Sequence, residues 1–192
     1  LRLDNFKNYM KKKKIKLKKN KYDICLISEY SVGKDDLYKT KGVDKSFATI
    51  AKYTIQYCLK YRLKFCFALK RKKNSLDNNL ELNFYKNFLS KKEYKYLIKN
   101  SIQNDKEKYS SYFAIEQSKI VIGVGSTLLR DKLALNGKIL SANFSKMQFF
   151  NFPIGGICFL NHDNFNMFEK RLNKIFKLPY AKYKLKLSKH SN

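Results

Sequence analysis

The stretch that decides the fold runs from Lys119 to Ser145 and reads KIVIGVGSTLLRDKLALNGKILSANFS. Its first residues, 119–122, form a short β-branched run that is typical of a buried parallel strand. Leucines then recur at helical spacing, and Gly137 is expected to end this helix. Residues 139–142 start the next strand. The stretch therefore predicts a strand, a glycine turn, a helix and a second strand.

The turn between the first strand and the helix combines glycines with hydroxyl side chains. Gly123 and Gly125 follow the strand, and Ser126 and Thr127 stand where side-chain oxygens can cap the helix. Glycines before a helix let a ligand approach the backbone closely, and a helix N-terminus attracts phosphate. The turn is consistent with a phosphate or nucleotide site, and equally with a helix cap alone.

The rest of the chain alternates strands with helices. Strands are predicted at residues 22–28, 65–69 and 157–160, and helices at 45–63, 80–89, 110–117 and 164–176. Residues 93–104 could form a strand or a helix, and in a Rossmann-type sheet a short strand at 96–98 is expected. Such alternation favours an α/β fold with a Rossmann-like parallel sheet flanked by helices.

Length and composition indicate one globular domain. The chain has 192 residues, of which 44% are hydrophobic, and it has no apolar run long enough to cross a membrane. We expect a basic leader or linker at 1–21, a Rossmann-like domain at 22–179 and a basic tail at 180–192. Because the sequence starts at Leu1 without an initiator Met, a fragment or a trimmed product is expected.

The net charge of +27 comes almost entirely from lysine. It predicts non-specific attraction to anions, including an anionic membrane surface that the leader could touch. Specific nucleic-acid binding is not expected, because arginine, which base and phosphate readers usually need, is scarce.

The cysteines and histidines do not form a metal-binding pattern. None of the four cysteines belongs to a CxxC pair, and the chain has only two histidines. Buried reduced thiols and no metal are therefore expected. Reduced thiols favour a cytoplasmic location, which could include the inner face of the cell membrane.

Polar side chains follow the first two predicted strands. Ser28, Glu29 and Ser31 come after the first strand, and Lys70 and Arg71 come after the second. In open α/β sheets the ligand cleft lies at the carboxyl ends of the strands. These side chains are therefore expected to share one edge of the sheet with the glycine turn.

The chain also resembles a known family. The segment SSYFAIEQSKIVIGVGSTLLRDKLALNGKILSANF, followed by FPIGGIC and FEKRLNKI, resembles the nucleotide-sugar-binding half of glycosyltransferases with the two-domain GT-B fold. It is similar in particular to bacterial surface-carbohydrate (polysaccharide) biosynthesis proteins. The likeness covers roughly residues 22–176 and includes the start YDICLISE.

The resemblance implies roles for individual residues. It implies that Asp131, where the family usually has Glu, bonds the ribose hydroxyls of the nucleotide; the alternative is a solvated surface carboxylate. The residues that would pack on the diphosphate or sugar are those of the glycine turn, Gly123, Gly125, Ser126 and Thr127. The residues that would neutralise phosphates are Lys70 and Arg71. The loop after the first strand would line the cleft with Ser28, Glu29 and Ser31.

The function implied by this resemblance is donor binding in a metal-independent glycosyltransferase that needs no cofactor. The acceptor would be a glycan or a lipid-linked sugar. The catalytic base would come from an amino-terminal Rossmann domain that this chain lacks, so the chain alone would be inactive. The alternatives are a nucleotide-sugar epimerase-like domain and a basic protein that binds nucleic acid or anionic membranes.

Overall fold

The computed structural model describes residues 2–30, 40–71, 73–102 and 109–189. Its strands are β1 (Tyr22–Ile27), β2 (Phe65–Ala68), β3 (Ser101–Ile102), β4 (Ser118–Gly123), β5 (Lys138–Ala142), β6 (Ile154–Gly156), β7 (Phe159–Leu160) and β8 (Leu187–Lys189). Six of them form a sheet in the order β3-β2-β1-β4-β5-β7, and every neighbouring pair is parallel. This is the strand order of a Rossmann-type sheet.

The centre of the sheet is formed by continuous apolar strands. In the register of β1, Cys25 lies beside Cys66 of β2 on one side and Val121 of β4 on the other. All three side chains are fully buried or nearly so. Strands that are covered on both faces need such apolar runs, which is why their positions could be read from the sequence.

Two groups of helices flank this sheet. The helices are α1 (Arg2–Lys12), α2 (Val43–Lys60), α3 (Leu76–Phe88), α4 (Lys91–Lys99), α5 (Ser110–Glu116), α6 (Thr127–Ala134), α7 (Phe165–Lys177) and α8 (Tyr180–Lys184). A short 3₁₀ helix spans Gln148–Phe150. Helix α2 packs against α4 and α7, whereas α5 packs against α6 and β4. The prediction of an α/β fold with a parallel sheet between helices is confirmed.

One predicted strand was wrong. Residues 96–98 belong to α4, and the strand that follows is β3 at 101–102. Ser90 and Glu93 start α4 with a capping box, in which each side chain accepts a hydrogen bond from the backbone N–H of the other residue. Leu97, on the inner face of this helix, is completely buried.

The end of α6 differs from the expectation in one residue. The left-handed position is occupied by Asn136, with φ of 56°, and not by Gly137. Gly137 is needed for another reason: a Cβ atom there would lie 2.2 Å from Cε of Lys132. The Lys132 ammonium is buried and donates hydrogen bonds of 2.7 and 2.8 Å to the carbonyl oxygens of Ile115 and Ser118.

Both basic ends of the chain contribute side chains to the core. Phe6 of α1 is only 3% exposed and packs on the rings of Tyr112 and Phe113, with centroids 5.2 and 5.4 Å away. Near the other end, the buried hydroxyl of Tyr183 donates a hydrogen bond of 2.9 Å to the carbonyl oxygen of Ile139. Strand β8 then pairs with β6 in an antiparallel ladder. None of the described helices combines the length and the apolar character needed to cross a bilayer.

Candidate functional site

A cleft of about 730 Å³ opens at the carboxyl ends of the central strands. Its walls are formed by residues 2 and 5 of α1, 27–29 at the end of β1, 68 and 70 at the end of β2, 109–112 at the start of α5, and 126–128 at the start of α6, together with Phe47 and Phe150. This volume lies within the range of small-molecule sites. The cleft therefore has room for a ligand of nucleotide size.

The position of the cleft follows from the strand order. Strands β1 and β4 are neighbours in the sheet, and the chain runs from β1 towards β2 on one side and from β4 towards β5 on the other. This is the point at which the order of the strands reverses. Loops diverge there, and ligands of open α/β proteins bind in the resulting crevice.

The carboxylate of Glu29 bridges this crevice. It accepts hydrogen bonds from the backbone N–H of Val124 and, over 3.0 Å, from that of Gly125. Burial raises the pKa of Glu29 above the ordinary value of 4.5, although these backbone hydrogen bonds oppose the shift. The loop after β1 is thus tied to the glycine turn after β4 by one half-buried carboxylate.

The two glycines of the turn have different surroundings. A Cβ atom on Gly123 would lie 2.7 Å from Oε1 of Glu29, closer than real Cβ contacts allow. On Gly125 the nearest atom to such a Cβ would be the carbonyl oxygen of Phe150, at an ordinary 3.7 Å. Gly123 therefore makes room for the Glu29 carboxylate. Neither glycine belongs to the lining of the cleft.

A second carboxylate, the buried Glu81, lies beneath the loop after β2. It accepts hydrogen bonds from the hydroxyl of Ser28 and, at 3.3 Å each, from the backbone N–H of Lys70 and Arg71. Tyr85 also contacts the Ser28 hydroxyl, at 3.2 Å. Burial raises the pKa of Glu81, and these hydrogen bonds oppose the shift. Glu81 therefore fixes the backbone from which the predicted basic pair projects.

Glu81 was not predicted as a site residue from the sequence. A signal was present, because Glu81 shares a helical face with Phe84 and Tyr85, three and four positions later. A carboxylate on the buried face of a helix needs hydrogen-bond donors. The sequence could not show that those donors come from the ends of β1 and β2.

The two basic residues after β2 take different positions. Lys70 is exposed and lines the cleft. Arg71 forms an ion pair with Asp77, with Nη1 and Oδ2 3.3 Å apart, and is not among the residues that line the cleft. Of these two residues, Lys70 therefore brings its charge to the cleft and Arg71 does not.

The start of α6 contributes two hydroxyl groups to the cleft. Ser126 and Thr127 both line it, and the Ser126 hydroxyl also caps the helix by accepting a hydrogen bond of 3.3 Å from the N–H of Leu128. Asp131, one turn further along α6, does not line the cleft. It accepts a hydrogen bond of 2.8 Å from the hydroxyl of Tyr112, which does.

Helix α1 adds residues to the site that the sequence analysis missed. Arg2 and Asn5 line the cleft. They are held there because Phe6 is inserted among the aromatic rings of α5. The block of lysines that follows favoured a basic leader or linker, since charged runs usually predict solvated chain. The predicted cleft residue Ser31 lies outside the described residues.

The side chains in the described part of the chain do not suggest a metal centre. No group of three or more His, Cys, Asp or Glu side chains comes together there in a way that could hold a metal ion. All four cysteines are buried and free, and burial raises the pKa of the Cys58 and Cys158 thiols, the latter to about 12. They are therefore unreactive core residues.

The chain was compared with protein families, curated proteins and solved structures. The model of a family described as "putative O-antigen biosynthesis protein" matches residues 3–152. No curated protein matches the chain significantly. Among solved structures, UDP-GlcNAc 2-epimerase from Neisseria meningitidis, bound to UDP-GlcNAc, is similar with 10% sequence identity and a TM-score of 0.47. The alignment covers 93% of this chain and 42% of the epimerase chain, so this chain spans less than half of that length.

Proposed function

This chain belongs to the family described as "putative O-antigen biosynthesis protein", and we propose that its part in that process is to bind the nucleotide-sugar donor of a glycosyltransferase. The observation that carries the proposal is the cleft at the reversal point of the strand order, between the ends of β1 and β4. In sheets of this order, that crevice is where nucleotides bind.

The chemistry of the cleft walls supports a ligand with both charge and hydroxyl groups. Lys70 and Arg2 bring positive charge to the cleft, and Ser126 and Thr127 bring hydroxyl groups. Phe150 adds an aromatic surface, itself supported edge-to-face by Phe47 at 6.0 Å between ring centroids. The positive charge suits a diphosphate, and the hydroxyl groups suit a ribose. The aromatic surface suits a base or a sugar ring.

In sugar transfer, the chain would hold the donor and stabilise the diphosphate as it leaves. Lys70 is the residue best suited to that task, because it lies at a strand end and its backbone N–H is fixed by Glu81. The base that activates the acceptor hydroxyl would come from a domain outside this chain. The acceptor would be a glycan or a lipid-linked sugar.

Isothermal titration calorimetry tests the proposal. The chain is titrated with uridine, guanosine and cytidine nucleotide sugars, and with the matching free sugars. We expect saturable binding of at least one nucleotide sugar and a roughly tenfold loss of affinity in Lys70→Ala, as a lost charge-assisted contact implies.

Lys174→Ala is the matched control, because Lys174 is an exposed lysine on α7 that does not line the cleft. It should bind the same ligand with unchanged affinity. An equal loss in both variants would indicate general charge attraction by a chain of net charge +27 and would refute the proposed site.

A further inference from the structure

The Glu29 carboxylate occupies the part of the glycine turn that a phosphate would use. In phosphate-binding turns, successive backbone N–H groups before a helix point at the ligand oxygens. Here two such groups, on Val124 and Gly125, donate instead to the two oxygens of Glu29. The donors of this turn are therefore engaged within the protein.

The position of the carboxylate is built into the fold. Glu29 lies two residues after Ile27, the buried end of β1, which fixes where its side chain begins. Gly123, the last residue of β4, leaves the space that the carboxylate fills. Two strands that are far apart in sequence but adjacent in the sheet thus supply the anion and its cavity.

We propose that the Glu29 carboxylate acts as an internal anion and prevents phosphate from binding at the glycine turn. The diphosphate of a ligand then binds on the Lys70 side of the cleft. The carboxylate, which already accepts hydrogen bonds from both N–H groups of the turn, repels a second anion there. Lys70 also lines the cleft and lies after the neighbouring strand β2. The inference rests on the proposed function only for the identity of the natural ligand.

Amide NMR with inorganic pyrophosphate tests this arrangement without any nucleotide sugar. In the wild-type chain, pyrophosphate should shift the backbone amide of Lys70 and leave those of Val124 and Gly125 unmoved. In Glu29→Ala the turn amides should shift in a saturable way, with an affinity at least tenfold higher than any binding at the wild-type turn. Glu29→Gln, which keeps the size and removes the charge, should shift them as well and serves as the second variant if Glu29→Ala does not fold.

Glu169→Ala is the control for net charge. Glu169 pairs with Lys60, outside the cleft, so this variant changes the charge of the chain equally without touching the turn. It should behave as the wild type does.

The inference is overturned if wild-type Val124 and Gly125 amides titrate with pyrophosphate, if the folded Glu29 variants gain no binding at the turn, or if no wild-type residue near Lys70 responds. Because calorimetry with nucleotide sugars is a separate measurement, failure of the proposed function and failure of this inference can be told apart.

Discussion

The hydroxyl of Tyr112 donates a hydrogen bond of 2.8 Å to Oδ2 of Asp131. Tyr112 lines the cleft, whereas Asp131 lies behind it on α6. The carboxylate that the family resemblance links to ribose is thus connected to the cleft through a tyrosine. Burial and this hydrogen bond raise the pKa of Tyr112, so the tyrosine remains a donor at neutral pH.

A nucleotide pair tests the ribose role of Asp131. If Asp131 bonds the ribose hydroxyls, the wild-type chain should bind UDP about tenfold more tightly than 2′,3′-dideoxy-UDP, and Asp131→Ala should bind both with equal, lower affinity. If Asp131→Ala weakens both nucleotides by the same factor, the carboxylate does not contact ribose. Tyr112→Phe serves as a companion variant that removes the hydrogen bond and keeps the carboxylate.

The two glycines of the turn should differ sharply in their tolerance of a methyl group. Gly123→Ala places a Cβ atom 2.7 Å from Oε1 of Glu29, and we expect a loss of roughly 1–3 kcal/mol in the free energy of unfolding. Gly125→Ala meets only ordinary contacts at 3.7 Å and should cost less than about 1 kcal/mol. Urea denaturation of both variants measures the difference. Equal losses would contradict the close approach of Glu29 to the end of β4.

The buried carboxylate of Glu81 should make stability depend on pH. Because burial raises its folded pKa above the unfolded value of 4.5, the folded state retains the proton over a range in which the unfolded state releases it. The contribution of Glu81 to stability is therefore fully present below pH 4.5 and is lost as the pH rises through the folded pKa. The slope for this one group is at most about 1.4 kcal/mol per pH unit.

Glu81→Gln isolates this effect, because glutamine has nearly the same size and does not titrate. As the pH is lowered from 7 towards 4.5, the free energy of unfolding of the wild type should rise relative to that of Glu81→Gln. Chemical denaturation at several pH values gives this difference directly. A difference that stays constant or changes in the opposite direction would show that the pKa of Glu81 is not raised.

The packing of α1 can be tested through its one buried side chain. Phe6→Ala removes a ring that is 3% exposed and should lower the free energy of unfolding by roughly 3 kcal/mol. The neighbouring Lys7 is exposed, so Lys7→Ala should change the free energy of unfolding by less than about 0.5 kcal/mol. Equal stability of the two variants in urea would mean that α1 does not pack on α5, and that Arg2 is not held at the cleft.

Several parts of the fold could be predicted because their signals are local. The strands at 22–27, 65–68 and 118–123 contain the continuous apolar runs 24–27, 65–68 and 120–122, as strands buried on both faces must. The alternation of such runs with amphipathic helices then gave the parallel sheet, which is confirmed. The resemblance to surface-carbohydrate biosynthesis proteins is likewise confirmed at the level of the O-antigen family. The donor-binding roles of single residues stay predictions.

The details of the site could not be predicted because they depend on contacts between distant parts of the chain. Glu29 and Gly125 are 96 positions apart, and only the adjacency of β1 and β4 brings them together. The presence of Arg2 at the cleft depends on Phe6 and on rings of α5, more than a hundred residues later. The charge of +27 gave no indication that two carboxylates, the half-buried Glu29 and the buried Glu81, bind backbone N–H groups at the strand ends.

The central claim is that a nucleotide sugar binds in the cleft where β1 and β4 diverge. Mapping of backbone amide shifts during titration with the nucleotide sugar that calorimetry selects tests it most directly. We predict saturable shifts that cluster at residues 28–29, 70, 109–112 and 126–128, while amides of α7 and α8 stay unmoved. Saturable shifts that cluster elsewhere, or a folded chain whose amides respond to no nucleotide sugar at millimolar concentration, would contradict it.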